Sequence, residues 1–452
     1  MEEGDGGAVT PDGGASGMGD ETRPRSTQPR PLRVRRVTFE TIAFRFGALP
    51  LNFLISIVTT RYLLPEGRGA FTLAALTVAL AATALGSISS GVSHELREGG
   101  HRASEVLPAA LALSVVIGIV GTIVLIPINL AMVPGRFAAV AIISLCFLPS
   151  LVFQCLTGML LALGRIRALN VLQALMLALT LVAMLVFVVG LGWGVGGAAI
   201  ASVIAQFAGA IGILYAVRDL WQRQWLPAAR ARAAPILKLG MRLGVVNLLS
   251  LVNYRIDLVI LRWYRGLAAV GIYSLSVSLG EILWIASTSL ASVLLAEVLN
   301  RSHDSAVELT ARAFRSILGV SIVGGVALGL FGYLLIPTIF GPAFAPSRVP
   351  LLLLLPGIVA FAPGGALANY FSLRLGRAKY AFVLVIVSAS ATAIGALLFV
   401  PILGASGAAI ASSLGYILSM VAATLWFVRI SNATLADLRP SYSELYRSVV
   451  RG

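Results

Sequence analysis

The chain has 452 residues, of which 58% are hydrophobic and only 12% charged, and its mean hydropathy is +0.92. A typical soluble protein is about 45–50% apolar and about 25% charged, so this composition excludes an ordinary soluble globular protein. The formal net charge of +15 does not indicate a nucleic-acid partner, because the charges fall between hydrophobic segments rather than along one soluble face. The composition predicts an all-α polytopic membrane protein.

Residues 1–37 form a polar segment that is rich in Gly, Pro, Ser, Thr and Arg. Such a segment buries too little apolar surface to offset its chain entropy, which predicts a disordered cytoplasmic tail. It has no short apolar core followed by a small-residue cleavage site, so it does not resemble a secretory signal.

Twelve apolar runs follow this tail, and each is long enough to cross a bilayer as a helix. Strands of a membrane barrel would be about ten residues long with strict alternation, which these runs lack. The predicted spans are 41–63, 69–92, 106–132, 137–161, 168–190, 195–217, 240–264, 268–293, 312–336, 349–373, 380–402 and 406–429. We group them into an N-lobe (38–217) and a C-lobe (240–430), with a cytoplasmic linker (218–239) and a cytoplasmic amphipathic tail (431–452).

Lysine and arginine residues are unequally divided between the two sides of these spans. The side that holds both termini carries 26 of them and the opposite side carries 6, while Arg45 and Arg255 fall within spans. Cytoplasmic loops are enriched in Lys and Arg. The distribution therefore predicts a multi-pass protein of the inner (plasma) membrane with both termini in the cytoplasm.

The hexapeptide GAAIAS occurs twice, at 197–202 and at 407–412, an offset of 210. Gly69 aligns with Gly271 at an offset of 202, and Leu-Gly-Arg at 163–165 recurs at 375–377. Three matches in one order predict two six-helix repeats, which are parallel because each has an even number of spans. GAAIAS contains only small residues, which let helices approach closely, so we interpret it as a packing element and not as a site.

The C-terminal segment contains Ser441-Tyr-Ser-Glu444, the pattern of a capping box that opens a short amphipathic stretch through Val450. We interpret this stretch as an interfacial helix. A docking site for a partner enzyme is the alternative, and enzymes of envelope-glycan synthesis are candidate partners of the chain.

Four stretches carry a family resemblance: RYLLPEGRGAFTLA, LLALGRIRALN, NYRIDLVILRWYRGLAAVGIYSLS and IFGPAFAPS. Together, in this order and on twelve spans, they resemble the O-antigen-type flippases of the multidrug/oligosaccharidyl-lipid/polysaccharide (MOP) exporter superfamily. The resemblance covers about residues 38–430. It implies a cavity between the lobes, lined by the first, second, seventh and eighth helices. It also implies a polyprenyl-pyrophosphate-linked glycan as cargo, moved from the cytoplasmic to the outer leaflet.

The densest group of polar residues within a span is Asn253-Tyr-Arg255-Ile-Asp257. Charges at this depth are costly and are candidates for function. Arg255 and Arg262 share a helix face, which predicts an arginine pair that faces the cavity and binds phosphate. Asp257 points toward the face of Asn253, which is a further candidate for the substrate path. Asp257 is a candidate for proton or sodium coupling, or orients a neighbouring helix. A structural ion pair with another helix is the alternative interpretation.

Three further charged residues are candidates. Arg45 lies about one turn inside the first span, in a pattern (Arg-Phe-Gly) similar to Arg242-Leu-Gly, and either receives cargo at the cytoplasmic entrance or extends to the interface. Glu281 lies near the middle of the eighth span and is a second candidate for ion coupling, either protonated or paired with Arg255. Arg61 begins an outer loop, where it either contacts cargo or anchors the helix at the interface.

Several kinds of chemistry have no matching pattern. There is no Walker P-loop and no zinc-protease motif, and His94, His101 and His303 are all predicted in cytoplasmic loops. Cys146 and Cys155 lie in one apolar segment, which makes a disulfide framework or a zinc site implausible. We therefore predict no enzyme activity, no cofactor and no metal.

These observations predict a flippase for a lipid-linked oligosaccharide or other cell-envelope glycan precursor, which works by alternating access. A multidrug or organic-cation antiporter is the first alternative; it favours lone carboxylates, whereas the deep charges here include arginine. A membrane-embedded glycosyltransferase or a scaffold of envelope synthesis is the second alternative, and it predicts an acidic loop motif that the sequence lacks.

Overall fold

The computed structural model describes residues 31–221, 225–285, 287–289, 291, 298, 303–431 and 433–439. These residues form helices and short connections without a strand, which confirms the all-α prediction. Ten helical stretches are long and apolar enough to cross a membrane. The predictions made for residues 1–30 and 441–452, including the capping box at Ser441, lie outside the described residues.

Thirteen α-helices are described along the chain. In order they are α1 (Pro31–Gly86), α2 (Ile88–Arg97), α3 (Ala103–Met132), α4 (Phe137–Ser144), α5 (Phe147–Ala162), α6 (Ile166–Met184), α7 (Gly194–Ala216), α8 (Trp225–Gly280), α9 (His303–Ile339), α10 (Arg348–Phe361), α11 (Gly364–Asn369), α12 (Ala378–Leu403) and α13 (Ala405–Ser431). Short π-helices follow α6 (Leu185–Gly190) and α11 (Tyr370–Arg374), and 3-10 turns lie at Arg218–Leu220, Pro342–Ser347 and Leu435–Leu438.

The two longest helices, α1 and α8, each fold back on themselves. Arg68 donates a hydrogen bond to the carbonyl of Ser56, twelve residues earlier, and a straight helix would separate these residues by about 18 Å. Arg255 likewise forms an ion pair with Glu281. Each helix is therefore a hairpin of two limbs, which favours the predicted twelve spans; that count and the side of the termini stay predictions.

The corners of the two hairpins have the same backbone geometry. Leu64 has φ 60° and ψ 174°, and Gly266 has φ 80° and ψ −176°. These residues are 202 positions apart, the offset at which Gly69 aligns with Gly271. The equal corners support the predicted duplication independently of the sequence match.

Two helices begin inside segments that the sequence marks as polar. Helix α1 begins at Pro31, inside the predicted tail, and α8 begins at Trp225, inside the predicted linker. Proline is well suited to the first helical position because its φ is already fixed there. The linker residues are rich in alanine and arginine, which favour helix once the chain leaves the apolar run.

Both copies of GAAIAS pack as the sequence suggested. A Cβ atom added at Gly197 would lie 2.8 Å from the carbonyl oxygen of Phe187, and one at Gly407 would lie 2.3 Å from that of Phe399. The absence of a side chain thus lets each helix contact the backbone of the preceding one. The repeated hexapeptide is a close-packing element in both halves of the chain.

An ion pair joins the turn before α6 to the segment after α7. Arg165 Nη2 lies 2.5 Å from Asp219 Oδ2, and Arg165 Nη1 lies 2.9 Å from Oδ1. The hydrogen bonds from Arg165 lower the pKa of the Asp219 carboxyl to about 2. The side chains of Arg165 and Asp219 are 36% and 51% exposed.

Candidate substrate cavity

A cavity of about 590 Å³ lies between the two hairpins. Its wall is formed by residues 49–59 and 68–79 of α1 and by residues 255–285, which comprise parts of both limbs of the second hairpin. These correspond to the first, second, seventh and eighth predicted spans, the four helices implied by the family resemblance. Its uncharged polar side chains are Asn52, Ser56, Thr59, Thr72, Ser274 and Ser278.

The hairpin corners meet at one end of this cavity. A Cβ atom at Gly69 would lie 1.9 Å from the carbonyl oxygen of Leu267, and one at Gly271 would lie 1.8 Å from that of Pro65. The backbone of each corner therefore packs directly against a glycine of the other hairpin. This reciprocal contact closes the cavity at the end where α1 and α8 reverse direction.

Arg255 and Glu281 form an ion pair in the cavity wall. Arg255 Nη1 lies 3.0 Å from Glu281 Oε1, and Nη2 lies 3.0 Å from Oε2. The two side chains are 25% and 28% exposed, so both are accessible from the cavity. The pairing of Glu281 with Arg255 was one of two states that the sequence left open. Such a bidentate ion pair, with two parallel hydrogen bonds, is the strongest arrangement for an arginine and a carboxylate.

Arg68 is a cavity residue that the sequence analysis missed, since it was counted as an outer loop charge. It is only 5% exposed. Its guanidinium donates hydrogen bonds to Ser56 and Thr59 on its own hairpin and to Ser274 on the other. None of its partners among the described residues is a carboxylate, so its positive charge is not neutralised. The small residues beside it, in Gly67-Arg68-Gly69, were the available sequence signal.

Asp257 is buried behind the cavity wall, with 2% of its surface exposed. Its carboxylate accepts hydrogen bonds from Tyr273 (2.5 Å), from Ser412 (2.7 Å) and from the backbone amide of Leu258 (2.7 Å). Ser412 is the last residue of the second GAAIAS copy, whereas Ser202 of the first copy bonds within its own helix. The second copy therefore adjoins a candidate coupling residue, which its composition did not indicate.

Asn253 lies one turn before Asp257 and is 1% exposed. Its side-chain oxygen has no hydrogen-bond partner among the described residues. Buried polar atoms normally have a hydrogen-bond partner. Because this oxygen has none among the described residues, it is a candidate to accept a hydrogen bond from a proton donor or to bind a cation.

Two predicted arginines lie outside the cavity. Arg262 Nε donates to the carbonyl of Met132 at the end of α3, at 2.8 Å. Arg61 donates to the carbonyls of Thr338 and Ile339 at the end of α9. Each arginine satisfies carbonyls that a helix end leaves free. The structure thus does not bring Arg262 into the cavity with Arg255. The side chain of Arg45 is outside the described part of the structure.

Neither a metal site nor a thiol site is formed by the described residues. They contain no cluster of three or more His, Cys, Asp or Glu side chains that could hold a metal ion. Cys146 and Cys155 are both free and buried.

Solved structures of known proteins share this fold. The lipid II flippase MurJ in an inward closed conformation superposes with a TM-score of 0.74 at 10% identity, over 93% of this chain and 91% of that one. A multidrug resistance transporter of the MATE family, inward-facing, gives 0.69 at 18% identity, over 86% and 98%. An outward-facing MATE transporter gives 0.59 at 20% identity, over 88% and 95%. No curated protein sequence matches the chain.

Residues 36–295 match the family model described as polysaccharide biosynthesis protein. The match covers more than half of the chain and includes both hairpins and the cavity between them. The chain therefore belongs to the polysaccharide biosynthesis protein family, with the fold of the MOP exporter superfamily.

Proposed function

We propose that this protein is a flippase that moves a lipid-linked oligosaccharide or a cell-envelope polysaccharide precursor from the cytoplasmic to the outer leaflet of the inner membrane. The observation that carries the proposal is the pair of arginines, Arg68 and Arg255, contributed to one cavity by the two hairpins. Membership of the polysaccharide biosynthesis family supports a glycan as the cargo.

The charge of the cavity supports anionic cargo. Among the described residues of its wall, the charged ones are Arg68, Arg255 and Glu281, which gives a formal net charge of +1 for that set. A cation in a site of low dielectric constant attracts an anion more strongly than it would in water. The pyrophosphate of a polyprenyl-linked glycan is such an anion, and Arg68 offers it a charge that no carboxylate neutralises. Arg255 becomes available when the phosphate replaces Glu281 as its partner.

The same charges argue against the organic-cation antiporter. A cation exporter needs a carboxylate that is free to bind its substrate. Glu281 is the carboxylate in the cavity wall, and it is held by Arg255. Asp257 is buried outside the wall and already accepts three hydrogen bonds.

Alternating access would move the cargo between the leaflets. Higher similarity to the inward-facing than to the outward-facing MATE structure supports an inward-facing state, in which the contact between hairpin corners is the closed outer end. Separation of the corners would then open the cavity to the outer leaflet. Asp257 and Glu281 remain our candidates for proton or sodium coupling, because movement of the limbs of α8 would change the partners of both carboxylates.

Depletion of the protein in its native cell tests the function. Lipid-linked intermediates, measured by mass spectrometry, should accumulate as a complete glycan on the cytoplasmic leaflet. An unchanged lipid pool together with raised sensitivity to cationic dyes would instead support the antiporter.

Complementation with variants tests the site. Arg255→Ala and Arg68→Gln should each abolish export while membrane insertion stays normal. Arg136→Gln is the matched control, because Arg136 is an exposed arginine paired with Glu66 outside the cavity. Normal export by well-inserted Arg255→Ala and Arg68→Gln proteins would remove both residues from the mechanism.

A further inference from the structure

A second concave surface lies on the outside of the second half of the chain, between α9 and α10. This groove has a volume of about 620 Å³. Its apolar walls include Ile322, Val326 and Leu330 of α9 and Leu352, Pro356 and Val359 of α10. Gly325 and Gly329 form part of its lining, and their lack of side chains leaves room between the apolar side chains of α9 and those of α10. It is separate from the cavity between the hairpins.

The groove has the shape of a site for a hydrocarbon chain. Its lining on α9 runs from Ile322 to Leu334, which are twelve residues apart and about 18 Å apart along a helix. Val326 and Leu330 are 68% and 60% exposed, so the groove opens sideways. A groove that is apolar, elongated and open to the side in a membrane protein faces lipid chains.

An arginine that pairs with no carboxylate of the described residues lies at one end of the groove. The guanidinium of Arg348 stacks on the ring of Tyr333, with its central carbon 4.9 Å from the ring centroid. Its Nε is buried and has no hydrogen-bond partner among the described residues. The ring attracts the cation but leaves its N–H donors unused. This end of the groove therefore has a positive charge and free donors.

The first half of the chain provides an internal comparison. Arg136 precedes α4 as Arg348 begins α10, and the two residues are 212 positions apart, the same offset as the repeated Leu-Gly-Arg. Arg136 Nη2 lies 3.2 Å from Glu66 Oε1. The first arginine thus has an anionic partner within the chain, whereas Arg348 forms no ion pair within the described residues. The difference points to a partner for Arg348 from outside the chain.

We propose that the groove is a binding site for an anionic phospholipid of the membrane. One acyl chain lies between α9 and α10, and the phosphate-bearing headgroup lies at Arg348. An apolar groove that ends in a cation matches an anionic amphiphile. The guanidinium donates a charge-assisted hydrogen bond to a phosphate oxygen, and its positive charge favours a headgroup that keeps a net negative charge over one whose ammonium cancels it. This site does not depend on the proposed cargo.

Native mass spectrometry of the purified full chain, titrated with lipid in detergent, tests the proposal. Dioleoyl phosphatidylglycerol should bind about tenfold more tightly than dioleoyl phosphatidylcholine, because both lipids carry a phosphate but the choline ammonium cancels its charge beside Arg348. Arg348→Gln should abolish this preference, and Arg136→Gln should retain it. Val326→Trp should fill the groove and weaken both lipids. Ile119→Trp, on the exposed face of α3, is its matched control.

Two outcomes would overturn the proposal. The first is equal binding of the two phospholipids by the unmodified protein, a comparison that needs no variant to fold. The second is displacement of phosphatidylglycerol by an equal concentration of undecaprenyl phosphate, with Val326→Trp blocking that lipid too. The second outcome would assign the groove to an isoprenoid chain.

Discussion

The contact between the hairpin corners predicts that a single methyl group at Gly271 will shift the conformational equilibrium. A Cβ atom there would lie 1.8 Å from the carbonyl oxygen of Pro65. Carbon and carbonyl oxygen approach to about 3.3 Å at the closest in ordinary contacts. Gly271→Ala therefore requires the two corners to separate by roughly 1.5 Å, a displacement between two backbones that no side-chain rotation can absorb.

The size of the effect follows from that overlap. Forcing an extra methyl group into a packed interior costs about 1–3 kcal/mol. If separation of the corners relieves this cost, the ratio of separated to closed molecules rises roughly 5- to 150-fold. Gly69→Ala should act in the same direction, because its Cβ would lie 1.9 Å from the carbonyl oxygen of Leu267.

Distances between spin labels measure the shift directly. Tyr62 and Tyr264 are both exposed beside the corners, and cysteines at these positions can be labelled because Cys146 and Cys155 are buried. Gly196→Ala is the control, since nothing lies within 4 Å of a Cβ atom at that position. A distance distribution in well-folded Gly271→Ala and Gly69→Ala that matches the control would refute the closed-corner reasoning.

Three further predictions concern single side chains. Asp257→Asn keeps the size of the side chain and removes its charge, so gradient-driven export should fall while binding of lipid-linked cargo persists; export at the normal rate would exclude Asp257 from coupling. Arg262→Gln should lower the free energy of unfolding by about 1–2 kcal/mol, because a helix-end carbonyl loses a charge-assisted bond, and an unchanged denaturation midpoint would contradict this. Because Arg165 lowers the pKa of Asp219 to about 2, the pair stabilises the protein above about pH 4 and this stabilisation is lost as the pH falls toward 2. The difference in melting temperature between the unmodified protein and Asp219→Asn should therefore shrink over that interval, and a constant difference would show that the pair does not act through this ionisation.

The helical fold could be predicted because hydrophobic runs of sufficient length leave few alternatives in a membrane. The sequence also indicates the two matching corners, because Gly69 aligns with Gly271 and both glycines lie next to a corner. Hydropathy does not indicate where α1 and α8 begin. Hydropathy marks where apolar residues end, whereas a helix continues as long as its backbone is satisfied, which explains why Pro31 and Trp225 lie inside predicted polar segments.

The candidate cavity was predicted only in part, because depth in a span does not determine the direction of a side chain. Arg255 and Glu281 were identified from their depth and lie in the cavity wall. Arg262 shares the helix face of Arg255, yet it bonds to the end of α3. Arg68 was assigned to a loop because it follows the corner by only four residues, and its burial results from the packing of one hairpin against the other.

The two corners have the same shape but not the same energy. Leu64 has a backbone conformation that is almost restricted to glycine, at a cost of about 1–3 kcal/mol, whereas Gly266 adopts it without strain. Contacts elsewhere in the first hairpin must offset that cost for as long as the corner is bent. The first hairpin therefore stores backbone strain at its corner and the second does not. Straightening the corner would release energy in the first half of the chain but not in the second, although the two halves are similar in sequence and shape.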